Sequence, residues 1–182
     1  MKKIFVLCSL LLVLTGCDLG TGMLNTPQKQ VESFFSKYQT LDQDVLNDLD
    51  KVVAEEELFN SEQREAYRTL MKKHYQDLTY DIKDERIDGD KATVTVEIEV
   101  TDYSKAIAAA DLYKEQNKAE FQDENGDYDA SKFMDYRLEK LKEVKDHITY
   151  TLDLTLTKDG KEWKLDPIST VDEQKIHGTY LY

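Results

Sequence analysis

The sequence predicts an α+β fold in which N-terminal helices pack on a four-stranded antiparallel sheet, with a helical hairpin inserted between strands 2 and 3. Three observations carry this expectation. Apolar residues recur at helical spacing from Val31 to Tyr75 and again from Ala106 to Val144. They alternate with polar residues at period two over 78–101 and 148–165. Each period-two block contains an Asp-Gly pair, Asp88-Gly89 and Asp159-Gly160, where a chain readily reverses between strands.

The chain opens with Lys2 and Lys3, followed by an apolar run from Ile4 to Leu14 broken only by Ser9. A spanning helix needs roughly 20 apolar residues and the core of an export signal about 7–15, so the length of the run favours a signal. The run ends in Leu14-Thr15-Gly16-Cys17, which resembles the lipobox of bacterial lipoproteins: a branched apolar residue, two small residues and a cysteine. The resemblance implies that residues 1–16 are a signal peptide, that the bond between Gly16 and Cys17 is cut, and that the Cys17 sulfur carries a diacylglycerol group. Each buried methylene contributes about 0.8 kcal/mol, so two or three chains on one cysteine make a lasting anchor. The expected location is then the extracytoplasmic face of the cell membrane, with residues 17–25 as the lipidated cysteine and its tether.

Residues 26–182 read as one α+β domain. Thr26 is an N-cap ahead of Pro27, and Val31, Phe34, Phe35 and Tyr38 form the apolar face of the first helix. A second helix is expected over 42–54, with Val45, Leu46, Leu49, Val52 and Val53 inward. A third runs from a Ser61 cap to about Gln76 on a stripe of Tyr67, Leu70, Met71 and Tyr75. In the first strand pair, a two-residue Asp88-Gly89 turn would set Ile82 opposite Thr95, on the wrong face. A three-residue loop or an equivalent bulge pairs Ile82 with Val96 and Tyr80 with Ile98 instead. Ser104 is expected to cap a helix reaching about Phe121, and a second helix spans 130–146, the two making the hairpin of 104–146. In the last strand pair an Asp159-Gly160 turn pairs Leu156 with Trp163 and Leu154 with Leu165, and Pro167 ends the ladder near Asp166. The tail is expected to hold one helical turn before Gly178.

This order of elements, with Thr26-Pro27, Val31, Phe34-Phe35 and Tyr38 at the front and Asp159-Gly160-Lys161-Glu162-Trp163-Lys164-Leu165-Asp166 at the back, resembles the NTF2-like (cystatin-like) domains of small bacterial lipoproteins. The resemblance covers about residues 26–170. It implies a curved sheet wrapped on helices, often around a cone-shaped pocket, and a small hydrolase or isomerase using that pocket is one function such a fold can carry. The helices of 104–146 depart from the family pattern.

Composition narrows the chemistry. Against 24 basic residues stand 37 acidic ones, a formal net charge of −13. Such a surface repels nucleic acid and anionic headgroups. Of the two cysteines, Cys8 lies in the signal and Cys17 is consumed by lipid, which leaves no thiol for a disulfide, a metal or a nucleophile. The glycines form no phosphate loop. His74, His147 and His177 have no metal-ligand spacing. Ser61, Ser104 and Ser131 sit where caps are expected, outside any nucleophile motif. Glu97 and Glu99 share a strand face with threonines, the composition of a solvated face. Asp123, Asn125 and Asp127 match the first ligands of a calcium loop, yet Tyr128 and Met134 stand where glycine and glutamate belong, so a polar turn is the better account. Tyr80 and Tyr150 fall on the core face of the sheet. No cofactor and no catalytic residue is assigned. The expected function is a membrane-anchored binding or protein-interaction module, attached through its N-terminal lipid and meeting a protein or small-ligand partner that the sequence does not specify.

Overall fold

The computed structural model describes residues 25–55 and 59–182, so the expected signal peptide, the Leu14-Thr15-Gly16-Cys17 motif and the lipidation site at Cys17 lie outside the described residues. The Thr26 hydroxyl accepts from the Lys29 N–H at 3.2 Å and, with Pro27 in the first turn, opens α1, Pro27–Gln39. α1 ends in a Schellman closure: Leu41 N–H donates to Tyr38 O and Asp42 N–H to Lys37 O. That closure holds Leu41 at a φ of 54°, a strained value for a branched residue. Its side chain packs beside Val45 against the buried residues of the next two helices.

These are α2, Gln43–Glu55, and α3, Ser61–Asp77. Leu49 and Val53 point inward as expected, but Val52 is 56% exposed. α3 is capped by Asn60, not by Ser61. The Asn60 side chain accepts from Glu62 and Gln63 N–H while the Gln63 side chain accepts from Asn60 N–H, a reciprocal capping box.

β1, Thr79–Asp88, pairs with β2, Lys91–Thr101, with Ile82 opposite Val96 and Tyr80 opposite Ile98, the expected register. The device is a bulge between Ile82 and Asp84. The connection itself is a two-residue loop, Gly89-Asp90, not a three-residue one. β3, His147–Asp159, lies on the other side of β2, and β4, Glu162–Leu165, completes an antiparallel sheet in the order β1-β2-β3-β4. Here the expectation fails. The loop is Gly160-Lys161, Leu156 faces Leu165, and Lys158 faces Trp163, a slip of two residues from the expected pairing. In both hairpins the glycine takes the first of the two loop positions with positive φ, 59° and 64°, the pattern of a type II′ turn. A slip of two keeps every side chain on its face, so burial could not exclude it.

Between β2 and β3 run α4, Ser104–Gln116, a 3-10 turn, Lys118–Phe121, and α5, Ala130–Glu143. α4 thus ends before the expected Phe121, and α5 before 146. Neither Ser104 nor Ser131 is a cap. The buried Asp102 carboxylate accepts from Ser104 N–H and Oγ–H, and Asp129 accepts from Ser131 and Lys132 N–H. The tail holds more than one turn: α6, Thr170–Ile176, capped by Ser169.

Aliphatic side chains fill the space between sheet and helices. Val94, Val96, Ile98, Val100, Leu152, Leu154 and Leu156 meet Val31 and Phe35 of α1, Leu78, and Ile176 of α6. The cone-shaped pocket that the resemblance implies would lie here, and the side chains of this layer occupy it. A second apolar cluster joins α2, α3 and Leu141 of α5 on the far side of α3, and a third joins Ala110, Phe121, Phe133 and Met134.

Gly178 closes α6. Its N–H donates to Lys175 O and the following Thr179 N–H to Gln174 O, while Gly178 O accepts from Tyr103 N–H at 2.8 Å. Its φ is +67°, and a Cβ there would stand 2.0 Å from Thr101 O. Gly126 also has positive φ, +87°, but faces open space. Gly126→Ala is expected to cost about 1 kcal/mol, the left-handed backbone penalty alone, and Gly178→Ala at least about 3 kcal/mol, because backbone must move. Urea unfolding followed by circular dichroism measures both; equal losses would show that the contact at Gly178 relaxes freely.

Candidate functional site

The residues singled out in the sequence are mostly occupied by structural contacts. Asp123 accepts from the N–H groups of Asn125 and Asp127 at 2.8 and 3.0 Å, and Gln122 bridges to Tyr128, which makes the acidic loop a small closed turn. Glu97 lies 3.0 Å from Lys83 on the solvated face of the sheet, and Glu99 is exposed beside it. Tyr80 stacks on Phe35, its hydroxyl 3.4 Å from Glu32 O, and Tyr150 meets Tyr180 edge-on. His147 opens β3 on the surface.

The other two histidines converge. His74 of α3 is 1% exposed, and its Nε2 lies 2.8 Å from Ile176 O of α6. The carbonyl can only accept, so Nε2 carries the proton and donates, and Nδ1 is left as a buried lone pair without a partner. Burial holds the His74 pKa down near 4. His177 follows α6, its Nδ1 3.2 Å from the Tyr75 hydroxyl, and burial with His74 nearby lowers its pKa to about 4 as well. The same apolar surroundings push Tyr38 and Tyr103 up to about 12.

A hollow lies on the far side of α3 from the sheet. A cleft of about 350 Å³ runs between α2, α3, α4, α5 and the end of α6. Its wall is mainly Phe59, Leu70, Met71, Ile107, Met134 and Leu138, with Val52 exposed at its edge. Five polar residues interrupt that wall: Tyr67, Tyr103, Arg137, Gln174 and Thr179. Among the described residues that line it, none is a carboxylate or an imidazole. A groove of about 340 Å³ adjoins it across Val52, Tyr67 and Met71, and His177, Asp48 and Glu173 open onto that groove. Both volumes are of small-molecule size.

Two polar residues missed in the sequence build this region. Gln63 is 2% exposed and donates through Nε2 to Ser131 O, Ser131 Oγ and Asp135 Oδ1 at 2.8–3.0 Å, clamping α3 to α5. Arg137 sits with Met134, Leu138 and Leu141 at i, i+3, i+4 and i+7, on the inward stripe of α5. A charged residue in an apolar stripe was the available signal, as were Gln63 and His74 on the stripe of α3.

Among the described residues no group of three or more histidine, cysteine or acidic side chains could hold a metal ion, and no helix is long and apolar enough to cross a membrane. Comparison of the chain with protein-family models, with curated proteins and with solved structures finds no match in any of the three.

The buried His74 and the partly buried His177 set an acid limit on stability. Their folded pKa lies below the ordinary 6.5, so the unfolded chain takes up the proton first as pH falls. Stability is therefore full above about pH 6.5 and declines down to about pH 4, by roughly 2 kcal/mol per histidine between pH 7 and pH 5. His74→Gln, which keeps a donor for Ile176 O, is expected to remove one share of that decline. Unfolding free energies from urea titrations at pH 7, 6 and 5 measure it, and a flat wild-type profile would refute the assignment.

Proposed function

We propose that this chain is a lipid-anchored extracytoplasmic module that binds a small ligand in the cleft between α2, α3, α4 and α5. The observation that carries the binding half is the cleft itself. It is concave, mainly apolar, and interrupted by a few polar groups that could orient a guest, the usual character of a ligand site. The anchoring half rests on the basic start, the Ile4–Leu14 run and Leu14-Thr15-Gly16-Cys17. The two fit together: a module held by its own lipid needs no membrane-seeking patch, and its net charge of −13 keeps the body off anionic headgroups.

Within this proposal the domain is NTF2-like or cystatin-like, and α4 to α5 is an insertion relative to that pattern. A helix laid across a meander sheet in sequential strand order supports the resemblance. The filled layer beneath α1 departs from it and moves the ligand site to the helical side. A pocket enzyme would need an acid–base group near neutrality on the wall of the cleft. The hydroxyl of Tyr103 is pushed up to about 12, which suits it to hydrogen bonding and not to proton transfer. The adjoining groove with His177 is the place where a hydrolase or isomerase reading would have to start.

Expression of the full chain in a bacterial host tests the anchor. The protein is expected in the membrane fraction, with an N-terminal peptide beginning at Cys17 and bearing a diacylglycerol mass. Cys17→Ser is expected to leave uncut precursor without that mass. A Cys17→Ser protein processed and retained like the wild type would overturn the anchoring proposal.

A further inference from the structure

We infer that the ligand of the cleft is a single-chain amphiphile with an anionic head, held by Arg137. The inference rests on the cleft being the binding site. Arg137 is the one cationic side chain among the described residues of the wall, and it stands between Met134 and Leu138 on an otherwise apolar stripe. The acidic side chains of this protein tie up many of its cations. Lys29, Lys37, Arg68, Lys83 and Lys164 all pair with carboxylates at 2.5–2.8 Å. Among the described residues Arg137 makes no ion pair. Arg137 is partly buried and borders an apolar hollow, and an anion that arrives with its own hydrocarbon meets both features at once.

The remaining polar groups fit an anionic head without repelling it. Tyr67, Tyr103, Gln174 and Thr179 are neutral, and no carboxylate is among the described residues of the wall. Met71 and Met134 are unbranched and polarisable and can adjust around a flexible chain. At about 350 Å³ the cleft is at the small end of ligand sites, room for one medium-length chain and not for the paired chains of a phospholipid. Its chemistry is met by a free fatty carboxylate or by the phosphate head of a single-chain lipid.

Photo-crosslinking of the full chain, held in nanodiscs of a zwitterionic phospholipid, tests this. The probes are diazirine analogues of decanoate and of decan-1-ol, with crosslinked peptides located by mass spectrometry. Decanoate is expected to label peptides of α3 and α5 at least about tenfold more efficiently than decanol at equal concentration, the worth of one charge-assisted hydrogen bond. Raised salt should narrow that ratio. Arg137→Gln should abolish the preference, and Arg137→Lys, which keeps charge but loses the fork, should restore part of it. Unlabelled lysophosphatidylglycerol displacing the decanoate probe would assign the lipid phosphate as the natural head; failure to displace it would assign the free carboxylate. Equal labelling by decanol and decanoate, or a preference that survives Arg137→Gln, would overturn the anionic head while leaving the cleft a binding site. No labelling of α3 or α5 by either probe, or labelling undiminished in Ile107→Trp, which fills the cleft, would overturn the site itself.

Discussion

The alternation of apolar and polar residues along β2 and β3 is the constraint on which the remainder of the structure depends. Val94, Val96, Ile98 and Val100 lie beside Leu152, Leu154 and Leu156 on one face, all but fully buried. These seven aliphatic side chains fill the middle of the inward face, so α1, Leu78 and Ile176 close directly on the sheet. Burying side chains of this size contributes roughly 1.5–3 kcal/mol each. An open cone in the same place would give up several of those contributions. The layer is therefore solid, and any hollow large enough for a guest has to form where helices meet helices.

α3 transmits that constraint to the cleft. One side of it carries His74 against α6, and another carries Tyr67, Leu70 and Met71 into the cleft. Its position is set by polar contacts at both ends. Gln63 satisfies its amide on α5 and on its own cap, so α3 and α5 are held in one mutual position. His74 fixes the end of α6, where Gly178 in turn accepts from Tyr103 N–H. Buried polar groups of this kind contribute little net stability when paired, but leaving one partner bare costs the full desolvation of the other. They act as registers: the apolar clusters on either side tolerate sliding, and these bonds do not. Tyr103, Gln174 and Thr179 reach the cleft wall from the segments so fixed.

How much of this could be read from the sequence divides along physical lines. Periodicity found α1 to α5 and the four strands, because burial of one face leaves its period in the chain; for α6 the sequence predicts only a single turn, and the 3-10 turn of Lys118–Phe121 falls within the expected reach of α4. The β1–β2 register was legible because a slip of one residue would invert Ile82 and Tyr80. The β3–β4 register was not, because a slip of two costs no burial and the choice lay in whether Gly160 comes first or second in its loop. Three caps were placed one or two residues too late, while Thr26 was placed correctly. Asn60, Asp102 and Asp129 supply the acceptors that the neighbouring Ser61, Ser104 and Ser131 had been assigned, since asparagine and aspartate carry a fixed oxygen at the right reach. The cleft was invisible for a different reason. Its wall draws on four helices and the tail, and each of its apolar residues reads singly as core. Three polar residues are out of place in their stripes, Gln63, His74 and Arg137, and of these only Arg137 lines the cleft.

Those three polar intrusions answer to different physics. Gln63 finds four partners and is neutral, so burying it is nearly free. His74 finds one partner for two nitrogens and stays neutral at ordinary pH. Acid weakens it without breaking its bond to Ile176 O, since Nε2 still donates in the imidazolium, but the second proton would fall on an Nδ1 that has nothing to donate to. Arginine as a residue type has no neutral form in the ordinary pH range, so what Arg137 brings to the wall of the cleft is a cation. A cation that makes no ion pair among the described residues, set in the wall of an apolar hollow, is stabilised by anything that brings opposite charge and hydrocarbon together, and that is the physical difference between Arg137 and the two residues that hold helices in place.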